Sequence, residues 1–127
     1  MAKTPSPTKA ELEILRVLWE RGPQSVRDVQ RALGEAREVG YTSVLKTMQI
    51  MTAKRLVERD DTVRPQMYRA AYSQDRTQKQ LLTDLLDRAY GGSIKALVLH
   101  AIGPRKASAA DLEALERLLD RFEGEKK

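Results

Sequence analysis

Thr42, Ser43, Lys46 and Gln49 lie in the stretch GYTSVLKTMQIMTAKRLVERDDTVRPQMYRAAY, residues 40 to 72. Two hydroxyls, an ammonium and an amide are groups that can meet base edges in a DNA major groove. At about 100° per residue, Val44, Met48 and Met51 fall on one side of a helix. Thr42, Lys46, Gln49 and Ala53 fall on the other. Thr42 reads as the residue that opens this helix, its hydroxyl capping the first free N–H groups. Arg59 and Arg64 follow on a charged turn, placed to anchor phosphates, and Lys54 is read as a third anchor. A helix with one apolar and one polar face is also the ordinary surface helix. Taken alone, the pattern fits a DNA reader and a protein-docking module equally.

The elements that must position these residues are marked along the chain. Thr8 and Glu11 have the spacing of a capping box, and Leu12, Leu15, Val17, Leu18 and Trp19 continue as an amphipathic helix. Gly22-Pro23 stops it. Trp19 extends the apolar face and reads as a core anchor. Ser25 and Asp28 begin a second helix, with Val26, Val29, Ala32 and Leu33 inward and Gly34 where it can end. After the helix that opens at Thr42, Leu56-Val57-Glu58 and Gln66-Met67-Tyr68-Arg69 can pair as strands around DDTVRP, with Pro65 limiting the ladder. Residues 8–72 therefore predict a winged helix-turn-helix, behind a flexible arm of residues 1–7.

Residues 73–127 change to an all-helical pattern. Leu81, Leu82, Leu85, Leu86 and Ala89 form a wide stripe that ends at Gly91-Gly92. The apolar segment 93–102, which includes Leu99, is expected to be buried. Ser108 and Asp111 start a last helix carrying Leu112, Leu115, Leu118, Leu119 and Phe122. A tail this short cannot bury so many leucines alone, and a second copy of the chain is the economical partner. Leu81, Leu82, Leu85, Leu86, Leu99, Leu115, Leu118, Leu119 and Phe122 are the expected dimerisation residues. The expected fold class is mainly α with a small β-hairpin wing, ending in a helical dimerisation domain.

Composition narrows the function. The 127 residues carry a net charge of +5, which favours a polyanionic partner. Residues 1–72 hold 13 Lys and Arg against 9 Asp and Glu, and residues 73–127 hold 10 against 9. The excess sits with the expected reading head. There is no cysteine, so disulfides and thiolate metal sites are excluded. His100 is the sole histidine, and one ligand makes no metal site. With no Gly-rich phosphate loop and no nucleophile beside a base, the chain reads as a non-enzyme without cofactor or metal. No apolar run approaches a membrane span and the start is no signal peptide, so a cytoplasmic protein without membrane insertion is expected.

On ELEILRVLWERG, GYTSVLKTMQIMTAKRLVERD and LLDRAYGGSIKALVLHAI, in that order, the chain resembles the BlaI/MecI/CopY family of bacterial repressors. The resemblance covers nearly the whole chain. It implies an N-terminal winged helix, a C-terminal dimerisation domain and binding to dyad-symmetric operators in double-stranded DNA. It carries Thr42, Ser43, Lys46 and Gln49 onto groove-facing positions, and Arg59 and Arg64 onto the wing. A membrane metalloprotease sensor is a further partner implied by the same analogy. Three departures stand out. Ile50 occupies a position where many relatives carry a basic residue, and Arg55 one where they carry the glycine that closes the helix. His100-Ala101 replaces the Asn-Phe pair at which β-lactam repressors are cut. A small-ligand-responsive regulator is the other alternative left open.

Overall fold

Reciprocal hydrogen bonds at two helix starts set the frame of the N-terminal half. The computed structural model describes residues 5–103 and 108–125, with side chains to residue 121. Most of the expected arm, residues 1–4, thus lies outside the described residues. Helix α1 spans Lys9–Arg21, capped by Thr8. The Glu11 N–H donates to the Thr8 hydroxyl at 3.2 Å, and the Thr8 N–H to the Glu11 carboxylate at 2.8 Å. Ser25 and Asp28 repeat the arrangement at α2, Val26–Gly34. Each box satisfies backbone donors that a helix start otherwise leaves unpaired.

Helix α3, Tyr41–Ala53, begins one residue before Thr42, and its N-cap is Gly40. No side chain caps it, which corrects the capping role expected of Thr42. The chain enters from an extended Gly40, whose carbonyl accepts from the Val44 N–H, so the Thr42 hydroxyl is left in the first turn, facing outward. Beyond α3 the chain forms β1, Val57–Asp60, and β2, Met67–Ala70. They pair antiparallel, with Val57 opposite Ala70 and Asp60 opposite Met67. The first strand thus runs two residues further into the charged tip than expected.

One core joins these elements. Ile14, Leu15 and Leu18 from α1 meet Val26 and Val29 from α2, Val44, Met48 and Met51 from α3, and Leu56, Val57 and Tyr68 from the hairpin. Burying each large apolar side chain contributes about 1.5–3 kcal/mol. Tyr68 also pairs through its backbone with Gln24, in the link between α1 and α2, so that link adds a one-residue third strand. Trp19 packs half-buried against the core, and its indole N–H donates to the Tyr72 carbonyl at 2.9 Å.

The end of α3 carries two unusual features. Arg55 has φ 66°, a left-handed conformation that a non-glycine residue holds at a cost of about 1–2 kcal/mol. The Leu56 N–H reaches the Met51 carbonyl at 2.9 Å and the Arg55 N–H reaches Thr52 at 3.1 Å, which together form a Schellman motif. The motif that usually takes glycine is kept here with arginine. Beside it, the Lys54 ammonium donates to both carboxylate oxygens of Glu11, at 2.9 and 3.0 Å. Glu11 is only 2% exposed, so this pair ties the start of α1 to the end of α3.

The chain divides into two compact units, residues 1–80 and 81–127. The division lies within α4, Gln74–Tyr90, past the boundary after Tyr72 that sequence suggested. In the second unit, Gly91 and Gly92 take positive φ and turn the chain into α5, Ile94–Ile102, capped by Ser93. Helix α6 spans Ala109–Glu125. Lys95 of α5 pairs with Asp120 of α6 at 2.8 Å. The segment expected to be buried is only half-covered: no residue of α5 is buried. Within one chain this small unit has too few neighbours to close over it. Among the described residues, no helix is long and apolar enough to cross a membrane.

The geometry at Arg55 and Glu11 can be tested through stability. Arg55→Gly should raise stability by about 0.5–1 kcal/mol, measured as a shift in denaturant midpoint at unchanged slope. Burial pushes the Glu11 carboxyl up, but the Thr8 N–H, Lys54 and the Thr8 hydroxyl together bring it below its ordinary 4.5. A lowered carboxylate contributes stability above that value, and the contribution is lost as pH falls through the folded-state pKa. Glu11→Gln should therefore cost about 1–2 kcal/mol at pH 7, a figure reduced because Lys54 is partly solvated. The gap from the parent protein should close in acid. A gap independent of pH would assign the effect to packing.

Candidate nucleic-acid interface

The inward side chains of α3 decide which ones face out. Met48 and Met51 are completely buried and Val44 nearly so. Opposite them Thr42, Ser43, Lys46, Gln49, Ile50 and Ala53 are all exposed. The Thr47 and Thr52 hydroxyls bond back to the carbonyls of Ser43 and Met48. By contrast, the side chains of Thr42, Ser43, Lys46 and Gln49 make no hydrogen bond or ion pair among the described residues. One helix face thus presents two hydroxyls, an amide and an ammonium with their bonding capacity open. The structure brings together these four residues named from sequence.

The three expected anchors fare differently. Lys54 is paired with Glu11 inside the unit, and its side chain stays 40% exposed, so a phosphate would have to share it with that carboxylate. Arg59 pairs with Asp61 at 2.7 Å. The Tyr68 hydroxyl, and after it Asp61, push the Arg59 pKa further up. Arg64 donates to the backbone carbonyls of Asp61, at 2.9 Å, and Val63, at 3.3 Å. Arg69 pairs with Glu58. From residue 57 to 70 three arginines stand against three carboxylates, so the wing carries no net charge. To bind a phosphate, Arg59 and Arg64 would have to exchange partners they already have.

Two cations that sequence reasoning passed over lie on α2. Arg27 and Arg31 are exposed one turn apart, and neither is in an ion pair among the described residues. Arg27 stacks over the Tyr41 ring, its guanidinium carbon 4.9 Å from the centroid. With Ser25, Tyr41, Pro65 and Gln66 they line an open hollow between α2, the start of α3 and the base of the wing. The Asp28 carboxylate, also at this hollow, is held below its ordinary pKa by the Ser25 N–H and hydroxyl and, more weakly, by the nearby charge of Arg31. The hollow thus has at its edge two arginine side chains without ion-pair partners among the described residues, beside the open face of α3. The signal was present in SVRDVQRAL, where two arginines at i and i+4 share the face opposite Val26 and Val29.

The expected dimerisation residues sort by exposure. Leu82 and Leu85 are each 50% exposed and Leu118 is 49%. Leu81, Leu86, Leu99 and Leu115 are half-buried. Leu119 is already buried within its own chain. The side chain of Phe122 lies outside the described residues. Leu82, Leu85, Tyr90, Leu97, His100 and Ala101 line one open, largely apolar groove. There the Tyr90 hydroxyl and His100 Nδ1 are 3.0 Å apart. His100 thus has a local structural partner, and among the described residues no group of three acidic, cysteine or histidine side chains gathers to hold a metal.

Arg31→Ala should weaken binding to every duplex alike. It should also flatten the dependence of log K on log salt by about one unit for each phosphate that Arg31 neutralises. Arg59→Ala should change the slope less, because Asp61 already compensates that charge. Fluorescence anisotropy across a salt series checks both. An unchanged slope for Arg31→Ala would remove α2 from the interface.

Comparison with known proteins identifies the family. The family model described as Penicillinase repressor matches residues 7–121. The protein named Transcriptional regulator BlaI from Mycobacterium tuberculosis strain CDC 1551 / Oshkosh is 31% identical over 125 residues, covering 97% of this chain and 89% of the relative. The protein of the same name from strain ATCC 25618 / H37Rv gives the same figures. The chain belongs to the penicillinase repressor family, a family of DNA-binding transcriptional regulators and not of enzymes.

Proposed function

We propose that the protein represses transcription as a homodimer bound to dyad-symmetric operators. The observation that carries this reading is the open face of α3. Thr42, Ser43, Lys46 and Gln49 keep unused polar groups on a helix whose other side is locked in the core. Such a helix fits the major groove, where those groups pair with base edges. Arg27 and Arg31 of α2 hold the adjoining backbone, and Arg59 and Arg64 of the wing contribute more weakly. The protein works in the cytoplasm, where its operator is.

A single α3 spans too few base pairs to find one site in a genome. Two of them, about one helical turn apart, read two half-sites. The half-exposed Leu82, Leu85 and Leu118 supply an apolar surface for the second copy. Because His100-Ala101 stands in place of the family's Asn-Phe pair, release through cleavage by a sensor protease is left out of the proposal.

Selection of bound duplexes from a random DNA library at physiological salt tests the reading. The expected result is a dyad-symmetric sequence with half-sites about 10 base pairs apart. Leu85→Glu should shift the protein to a monomer in sedimentation and lose the dyad while remaining folded. No enrichment from a folded dimer would sink the operator reading and point to a protein partner on the same face.

A further inference from the structure

Ile50 stands among the groove-facing polar residues of α3 and is 44% exposed. A lone exposed aliphatic residue is ordinary on a protein surface. The position of this one is not ordinary. It is one turn after Lys46 and next to Gln49, on the face that the proposed function lays against base edges. Its later neighbours leave it uncovered. Ala53 is too small to shield it, and Lys54, one turn on, is drawn to Glu11. Nothing in the unit uses Ile50 for packing as it uses Val44, Met48 and Met51.

We propose that Ile50 contacts the C5-methyl group of a thymine and so sets base preference at one position of each half-site. The inference rests on the placement of α3 in the major groove proposed above. In that groove the thymine methyl is the one sizeable apolar group; the rest of the edge is donors, acceptors and the small C5–H of cytosine. An isoleucine pressed against any of the others removes water and returns no bond, which carries a penalty. Against a methyl, the same side chain buries apolar surface on both partners. Ile50 thus favours thymine and disfavours the edges that lack a methyl. A 5-methylcytosine at that position restores the contact where plain cytosine does not.

The test uses the full protein and its best selected duplex, with each thymine replaced in turn by deoxyuridine, which lacks only the methyl. For the parent protein, one replacement per half-site should weaken binding about three- to tenfold, the worth of one buried methyl group. For Ile50→Ala that same replacement should cost nothing, while Lys46→Ala should still feel it. Ile50 is a surface residue, so an unchanged thermal midpoint checks that the variant folds.

An Ile50→Ala protein that responds to every replacement as the parent does would overturn the assignment. So would a parent protein indifferent to all of them. If Lys46→Ala and Gln49→Ala still lose binding, only Ile50 is reassigned. If those variants bind every duplex as the parent does, or no duplex is preferred at all, the placement of α3 falls and Ile50 with it.

Discussion

The angle at which α3 sits about its own axis controls everything the protein can present to DNA. Val44, Met48 and Met51 are enclosed by side chains from α1, α2 and the hairpin, and all three point the same way. Turning the helix by a single residue, about 100°, would bring a methionine toward water and Lys46 toward the core. An unpaired ammonium there would face a desolvation cost of several kcal/mol. Packing therefore excludes other orientations, and the outward set of Thr42, Ser43, Lys46, Gln49 and Ile50 follows from it. The Schellman turn at Arg55 and the Glu11–Lys54 pair hold the far end of the same helix.

The charges are divided between internal and external use. Lys54 neutralises a buried carboxylate, and Arg59 and Arg69 of the wing pair with acids of their own hairpin. Among the described residues of α2 and α3, Lys46 and the two exposed arginines of α2 remain outside any ion pair. The unpaired positive charge of these elements thus lies on the helices, while the wing arginines are matched within their own hairpin. The total of +5 conceals this division, because a net charge counts paired and unpaired groups equally.

Local rules were legible wherever partners lie within one turn. Both capping boxes are four-residue patterns, and the two faces of α3 come from helical periodicity alone. Trp19 was legible as a core residue, since its position continues an apolar stripe. What escaped depends on residues far apart in the chain. Lys54 and Glu11 are separated by 43 positions, so nothing in the string announces their pairing. The backbone pairing of Gln24 with Tyr68 is equally silent, because a single extended residue has no pattern. Leu119 looks like its neighbours in the leucine stripe. Yet about 100° of rotation separates it from exposed Leu118, and only about 40° from half-covered Leu115. The cap expected at Thr42 lies two residues earlier because Gly40 can cap a helix without any side chain.

Trp19 is the only tryptophan in the chain, and it sits wholly within the first unit, against the core and bonded to Tyr72. Its fluorescence is therefore a built-in reporter for one half of the molecule. Emission records the loosening of the core that Trp19 packs against. Far-ultraviolet dichroism weights every helix in both units. Read on the same sample, the two signals separate the opening of the DNA-reading unit from the melting of the leucine-rich one, with no label attached to either.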